Sequence, residues 1–139
     1  MGIDVTFKSN IPEIMKKIDS TAKGRMLEAV MEVRNKTLVT LSGNRTGRTY
    51  YVPGTKRTYT ASSPGQPPAV ATGELRQSIK GVVESEGKQI VGRVGTDKIQ
   101  GLVLEFGTHD GRILARPWLK KSFDESNAKV KEIFMRLWF

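Results

Sequence analysis

Residues 10–41, "NIPEIMKKIDSTAKGRMLEAVMEVRNKTLVTL", have the apolar spacing that decides the fold. Asn10 followed by Glu13 predicts a capping box, and Pro12 falls in the first turn, where a missing N–H is tolerated. Apolar side chains then recur at intervals of three or four residues, or multiples of these, which is the period of a helix with one buried face. We therefore predict a helix over residues 11–41. Its apolar stripe consists of Ile11, Ile14, Ile18, Ala22, Met26, Ala29, Val33 and Leu41.

The predicted helix is longer than the domain that carries it. It spans about 46 Å, whereas a compact domain of 139 residues is roughly 37 Å across. Gly24 costs roughly 1 kcal/mol relative to alanine, so it is the weak point of the helix and the candidate position for a bend. Without a bend, the apolar stripe extends past the core and needs a neighbour to cover it. A second copy of the chain is the simplest candidate.

Residues 42–71, "SGNRTGRTYYVPGTKRTYTASSPGQPPAVA", have no helical period. A connection this long without secondary structure is usually functional or disordered, so we predict an extended or disordered arm. The β-branched and aromatic residues of "TYYV" and "RTYTA" also favour a hairpin around Pro53 and Gly54. Pro67 and Pro68 hold the end of the arm in an extended form.

The second half of the chain is rich in regular patterns. "GELRQSI" predicts a short helix with Thr72 as its N-cap and with Leu75 and Ile79 on one face. "KGVVES" and "KQIVGRVG" flank a polar turn that contains Gly87, and they predict a β-hairpin. "IQGLVLEFGT" is interpreted as a buried apolar run that ends at Gly107.

A second long helix is predicted from Pro117 to the end of the chain, with proline at its first helical position. Residues 3–7, "IDVTF", alternate in polarity and predict a short strand. Together these elements predict an α+β fold in one domain, residues 1–139, in which a long N-terminal helix and a C-terminal helix pack on a small, mainly antiparallel sheet. The predicted apolar face of the last helix consists of Trp118, Leu119, Phe123, Val130, Ile133, Phe134 and Leu137.

The net charge of +9 is concentrated in one segment. Residues 33–73 contain six basic residues and no Asp or Glu, and so supply six of the nine excess charges. The chain has no cysteine, which excludes disulfides and thiolate metal sites. It also has no apolar stretch long enough to cross a membrane, so we expect a soluble protein without a membrane partner.

The basic arm has three interpretations. Its cations and tyrosines suit single-stranded nucleic acid, its charge suits a solvated loop, and its extension suits an acidic surface on a partner protein. The third is favoured, because a proline-rich extended chain suits wrapping over a surface. The candidate partner-binding residues are Arg45, Arg48, Tyr50, Tyr51, Lys56, Arg57 and Tyr59.

No motif predicts catalysis. His109 beside Asp110 is expected to lie in a solvated turn, and "GRVGTDKIQG" lacks the spacing of a phosphate-binding loop. The acidic residues are scattered, without a pair that suggests acid/base work. We therefore expect no enzymatic activity, and no catalytic, cofactor or metal site.

The C-terminal end, "IFMRLWF", is unusually apolar for a chain terminus. One interpretation is that it docks in the protein's own core, and the other is that it contacts a neighbouring chain. The possible interface residues are Ile133, Phe134, Leu137, Trp138 and Phe139.

Four stretches from Ser63 onward resemble a family of small tailed-bacteriophage neck proteins, described as head–tail joining or tail-completion proteins. They are "SPGQPPAVATGELRQSI", "VGTD", "LVLEFGT" and "ARPWLKKSF", in that order. Leu104 stands where the family usually has Val, and Trp118 where it usually has Phe. The motif residues are Thr72, Gly73, Leu75, Arg76, Glu105, Phe106, Gly107, Thr108, Arg116, Pro117 and Trp118.

The resemblance implies a non-enzymatic structural subunit of the virion, located at the head–tail junction after assembly in the host cytoplasm. Such a subunit forms a homo-oligomeric ring that contacts head-closure proteins and tail-tube or tail-terminator proteins. DNA passes through the ring without sequence-specific binding. Because a conduit should not grip DNA, we expect the basic arm to lie against acidic protein partners. The alternative is a nucleic-acid-binding protein that uses residues 45–59.

Glu105 is a charge at the end of an apolar run. One hypothesis is that it forms an ion pair with Arg116 and so clamps the two sides of the loop "GTHDGRILA". The alternative is that both side chains are solvated.

Overall fold

The computed structural model of the protein describes residues 9–138. The described chain has four helices and four strands, so the predicted α+β fold is confirmed. The strand predicted over residues 3–7 lies outside the described residues. The elements are α1 (Ile11–Thr40), β1 (Thr49–Tyr51), β2 (Thr58–Thr60), α2 (Glu74–Gln77), β3 (Lys80–Glu86), β4 (Gln89–Gly95), α3 (Ile99–Phe106) and α4 (Leu119–Met135).

The long first helix is confirmed, and it continues through Gly24 without interruption. The predicted capping box is wrong, because the side chain of Asn10 makes no capping hydrogen bond. The backbone of Asn10, with φ −97° and ψ 7°, is not in the extended conformation that an N-cap requires. The Ser9 hydroxyl instead accepts a 3.4 Å hydrogen bond from the N–H of Ile11.

The last helix, α4, runs antiparallel to the second half of α1. The Ser122 and Thr40 hydroxyls lie 2.9 Å apart at one end, and the Arg25 guanidinium donates to the carbonyl of Ile133 at the other. Its start was predicted at Pro117, but α4 begins at Leu119, and it ends at Met135 rather than at the chain terminus.

The predicted apolar face of α4 is partly wrong. Phe123 is 54% exposed and Leu137 is 88% exposed, whereas Ser122 and Ser126 are buried. The two serine hydroxyls each donate to the carbonyl one turn earlier, so these small side chains are buried without an unpaired polar group. Small residues let α4 approach α1 closely, which is why they, and not the phenylalanine, face it.

A β-hairpin covers another side of α1. Its strands β3 and β4 pair antiparallel from Lys80 with Gly95 to Glu86 with Gln89, as predicted. The hairpin lies close to the helix, since a Cβ at Gly92 would come within 2.5 Å of the side chain of Val30. The hairpins β1–β2 and β3–β4 form separate two-stranded sheets.

The small core lies at the C-terminal end of α1, where Leu41, Leu75, Ile79 and Trp118 cluster. Leu75 and Ile79 face inward as predicted. The predicted N-cap of α2 is off by one residue, because the cap is Gly73 in the left-handed conformation, at φ 84°.

Residues 42–71 do not form an extended or disordered arm. The predicted hairpin around Pro53 and Gly54 is confirmed as β1–β2, in which Tyr50 pairs with Tyr59. Two further backbone hydrogen bonds, from Gly47 to Ala61 and from Ala61 to Arg48, close the base of the hairpin. The segment therefore folds into a hairpin that is closed within its own domain.

Candidate functional site

An open groove of about 830 Å³ runs along α1 between α4 and β4. Its lining is mainly apolar, and the charged residues on it are Arg93, Lys98, Glu105 and Lys120. The second half of α1 contributes Met26, Ala29, Val30 and Val33, α4 contributes Phe123, Val130 and Phe134, β4 contributes residues 92–95, and α3 contributes Leu102 and Phe106. We call this feature the α1 groove.

Helix α3 presents an exposed apolar face at one end of the α1 groove. Ile99, Leu102 and Phe106 are 73%, 55% and 74% exposed. The expectation that "IQGLVLEFGT" is buried is therefore wrong for most of the run, in which Gly101 is the residue buried in α3. The spacing of these three side chains, three and four residues apart, is the helical signal that the sequence interpretation did not use.

The first turns of α1 form a second apolar surface. Every residue of 11–20 is exposed, so this part of the helix extends beyond the domain, as its predicted length requires. Ile11, Ile14, Met15 and Ile18 lie on one face of it and are 42–64% exposed. We call these four residues the α1 stripe.

The carboxylate of Glu105, in α3, caps the start of α4. Its carboxylate accepts hydrogen bonds from the backbone N–H groups of Trp118 and Leu119 at 2.8 Å each and from Lys120 at 3.0 Å. These are the N–H groups that have no partner at the start of a helix, and the negative charge also lies at the positive end of the helix dipole.

The predicted ion pair between Glu105 and Arg116 is wrong. The Arg116 guanidinium donates instead to the carbonyl and the hydroxyl of Ser62. The two side chains do not pair, because the Glu105 carboxylate accepts from backbone N–H groups at the start of α4. Arg116 instead connects the C-terminal part of the 42–71 segment to the loop before α4.

Trp118 joins this arrangement to the core. It is 1% exposed, and its indole N–H donates to the carbonyl of Gly101 in α3 at 3.0 Å. A Cβ at Gly101 would lie 3.2 Å from the indole and 2.5 Å from a methyl carbon of Thr96. Hydrogen bonds of the Glu105 carboxylate and the Trp118 indole therefore join α3 to the start of α4.

The loop between α3 and α4 is also built from motif residues. Gly107 has φ 76°, and a Cβ there would lie 2.8 Å from the Ile113 carbonyl oxygen. The Thr108 hydroxyl donates to Asp110 at 2.7 Å, and this hydrogen bond, with one from the N–H of Arg112, lowers the pKa of Asp110. His109 is exposed in this turn, as expected, and the motif residue Arg76 is exposed on α2.

The predicted partner-binding residues fall into two groups. Arg45 is half-buried, and its guanidinium donates to the carbonyls of Thr40, Pro67 and Pro68 at 2.6–3.0 Å. Its burial lowers its pKa. Arg45 therefore pins the two ends of the 42–71 segment to each other and is not available to a partner.

The other candidates lie on the β1–β2 hairpin. The rings of Tyr50 and Tyr59 contact each other across the strands, with centroids 6.0 Å apart. Tyr59 is half-buried by its neighbours. The remaining members of the set are exposed: Arg48, Tyr50, Tyr51, Lys56 and Arg57. We call these five residues the basic hairpin face.

The C-terminal end docks on its own domain. Ile133 is buried, and Phe134 and Trp138 are half-buried. Arg25 donates to the Leu137 carbonyl at 2.7 Å, although the Leu137 side chain is exposed. This favours the first of the two interpretations, and the fifth candidate, Phe139, lies outside the described residues.

Comparison with known protein families, with curated proteins and with solved structures finds no match. Within residues 9–138, no group of three His, Asp or Glu side chains is placed to hold a metal ion. No helix in that range is long and apolar enough to span a membrane.

Proposed function

We propose that this chain is a structural subunit of the phage head–tail junction, which assembles into a ring and has no catalytic role. The four motifs that resemble phage neck proteins support this proposal, and so does one structural observation. The domain leaves two apolar surfaces uncovered, the α1 groove with the face of α3 and the α1 stripe. Exposed apolar surface of this extent typically marks a protein–protein interface.

The motif residues support the same role in physical terms. Glu105, Gly107 and Trp118 fix the relative position of α3 and α4, and Phe106, the last residue of α3, is exposed. The motifs thus hold an apolar docking surface in a rigid setting, which reduces the loss of conformational freedom on binding.

The direct test is to delete the gene from the phage that encodes it. We expect filled heads and finished tails that do not join, counted by negative-stain electron microscopy. Complementation with the wild-type gene should restore tailed particles, whereas Phe106→Glu should not, because it places a charge on the proposed docking surface. Met31→Glu, at another exposed apolar position, is the matched control and should complement.

Two results would contradict the proposal. One is a deletion that still yields tailed, infectious particles, and the other is an arrest before DNA packaging with only empty heads.

The second candidate function is nucleic-acid binding through the basic hairpin face. Its three cations and two exposed tyrosines combine phosphate pairing with stacking surfaces. A mobility-shift series with single-stranded DNA separates the candidates, because only this one requires binding at physiological salt. Replacing Arg48, Lys56 and Arg57 by alanine would then lower the slope of log affinity against log salt by about 2.

A further inference from the structure

The α1 stripe and the floor of the α1 groove belong to the same side of one helix. A residue and the one four positions later lie on one helical face, so the apolar line runs from Ile11 through Ala22 to Val33. Its first part is exposed, and its second part is the groove floor. The helix stays unbroken between them, so the stripe is too far along the axis to fold into its own groove.

The spacing along this line is symmetric about Ala22. Ile18 and Met26 lie four residues from it, Ile14 and Val30 lie eight, and Ile11 and Val33 lie eleven. If two copies of α1 cross antiparallel at Ala22, each stripe therefore lies over the other copy's groove floor at the same time. The small side chain at the crossing point lets the helix axes approach closely.

We infer that the free protein forms a two-fold symmetric dimer in which each α1 stripe occupies the α1 groove of the other copy. This is helix-in-groove recognition, with anchors at positions 11, 14, 15 and 18. The occupant is a second copy because each chain carries both complementary parts in the register that a two-fold axis needs.

The available area is sufficient for a stable pair. Complete burial of the four stripe residues and of the exposed parts of Leu102, Phe106 and Phe123 at both sites would remove about 1,600 Å² of surface, the size of a standard specific interface. The walls of the α1 groove are mainly apolar, so the stripe side chains leave few polar groups unpaired there.

The inference goes beyond the proposed function and does not depend on it. A dimer of the purified protein is expected whatever the chain does in the cell, and its failure would leave the gene-deletion experiment unaffected.

The first experiment measures mass by sedimentation equilibrium from about 1 to 100 μM. We expect a concentration-dependent shift from 15.4 kDa, the mass of one chain, to twice that value. Ile18→Glu and Phe123→Glu, on the two halves of the interface, should each weaken the pair roughly 100-fold, because each introduces two buried charges per dimer. Leu27→Glu changes an equally exposed residue on another side of α1 and should leave the association unchanged.

The second experiment uses the absence of cysteine from the natural chain. In Ala22→Cys the two thiols meet at the two-fold axis, within the short distance that a disulfide requires. Mild oxidation should therefore give a covalent dimer on a non-reducing gel, whereas Leu27→Cys should stay a single chain.

Three outcomes would overturn the inference. They are a wild-type protein that keeps the mass of one chain over the whole range, an association that Leu27→Glu weakens as much as Ile18→Glu, and an Ala22→Cys variant that does not crosslink. Circular dichroism of each variant confirms that the fold is kept, which is expected because Ile18, Phe123 and Leu27 are all exposed in the single chain.

Discussion

Trp118→Ala is expected to destabilise the protein by about 3–5 kcal/mol, the usual cost of removing a buried aromatic side chain. The indole is 1% exposed, packs with Leu41, Leu75 and Ile79, and donates to the carbonyl of Gly101. The change leaves a cavity at the place where α1, α2, α3 and α4 meet. Thermal unfolding by circular dichroism should show a melting temperature lower by roughly 12–20 °C.

Trp118→Phe separates the packing from the hydrogen bond. It keeps most of the apolar contact and removes only the indole N–H, so we expect a loss of about 1–2 kcal/mol. Trp138→Phe is the matched control, because that indole is half-buried and bonds within its own helix end, to the carbonyl of Phe134. If Trp118→Ala melted within 3 °C of the wild type, the core described above would be wrong.

Glu105→Ala is expected to cost about 2–3 kcal/mol, because three backbone N–H groups at the start of α4 lose their acceptor at once. The melting temperature should fall by roughly 8–12 °C. The melting temperature of Glu105→Gln should lie between those of Glu105→Ala and the wild type. The glutamine amide keeps one acceptor oxygen, but its NH2 group faces backbone N–H groups and cannot accept from them.

Glu132→Ala is the control for the loss of a carboxylate on α4. Glu132 is exposed and pairs only weakly with Lys129, at 3.6 Å, so its replacement should change stability by less than about 0.5 kcal/mol. Equal melting temperatures for Glu105→Ala and Glu132→Ala would show that the Glu105 carboxylate does not support α4.

The parts of the fold that could be predicted from the sequence are those with a local period. The stripe of α1 repeats over many turns, and the alternation in β3 and β4 brackets a glycine turn, so both were located to within a residue or two. The inward side chains Leu75 and Ile79 followed from the same rule.

The parts that could not be predicted depend on residues distant in the chain. Glu105 bonds to residues thirteen to fifteen positions later, and Arg45 bonds to carbonyls more than twenty positions later. No local pattern gives such partners. A charged residue after an apolar run indicated only that its carboxylate needs a hydrogen-bond donor or a cation, and several partners met that requirement equally well.

The α1 groove was missed for a related reason. It is formed where four elements leave a gap, and the sequence shows only that each has apolar residues. The serine face of α4 misled the prediction because serine reads as polar, although its hydroxyl is satisfied within the helix.

The capping of α4 by Glu105 also bears on the order in which the chain acquires structure. The carboxylate that caps α4 belongs to α3. Nucleation of α4 is therefore non-local, because the loop between the two helices has to close first. We therefore expect α4 to form late and cooperatively in folding, only once α3 has docked.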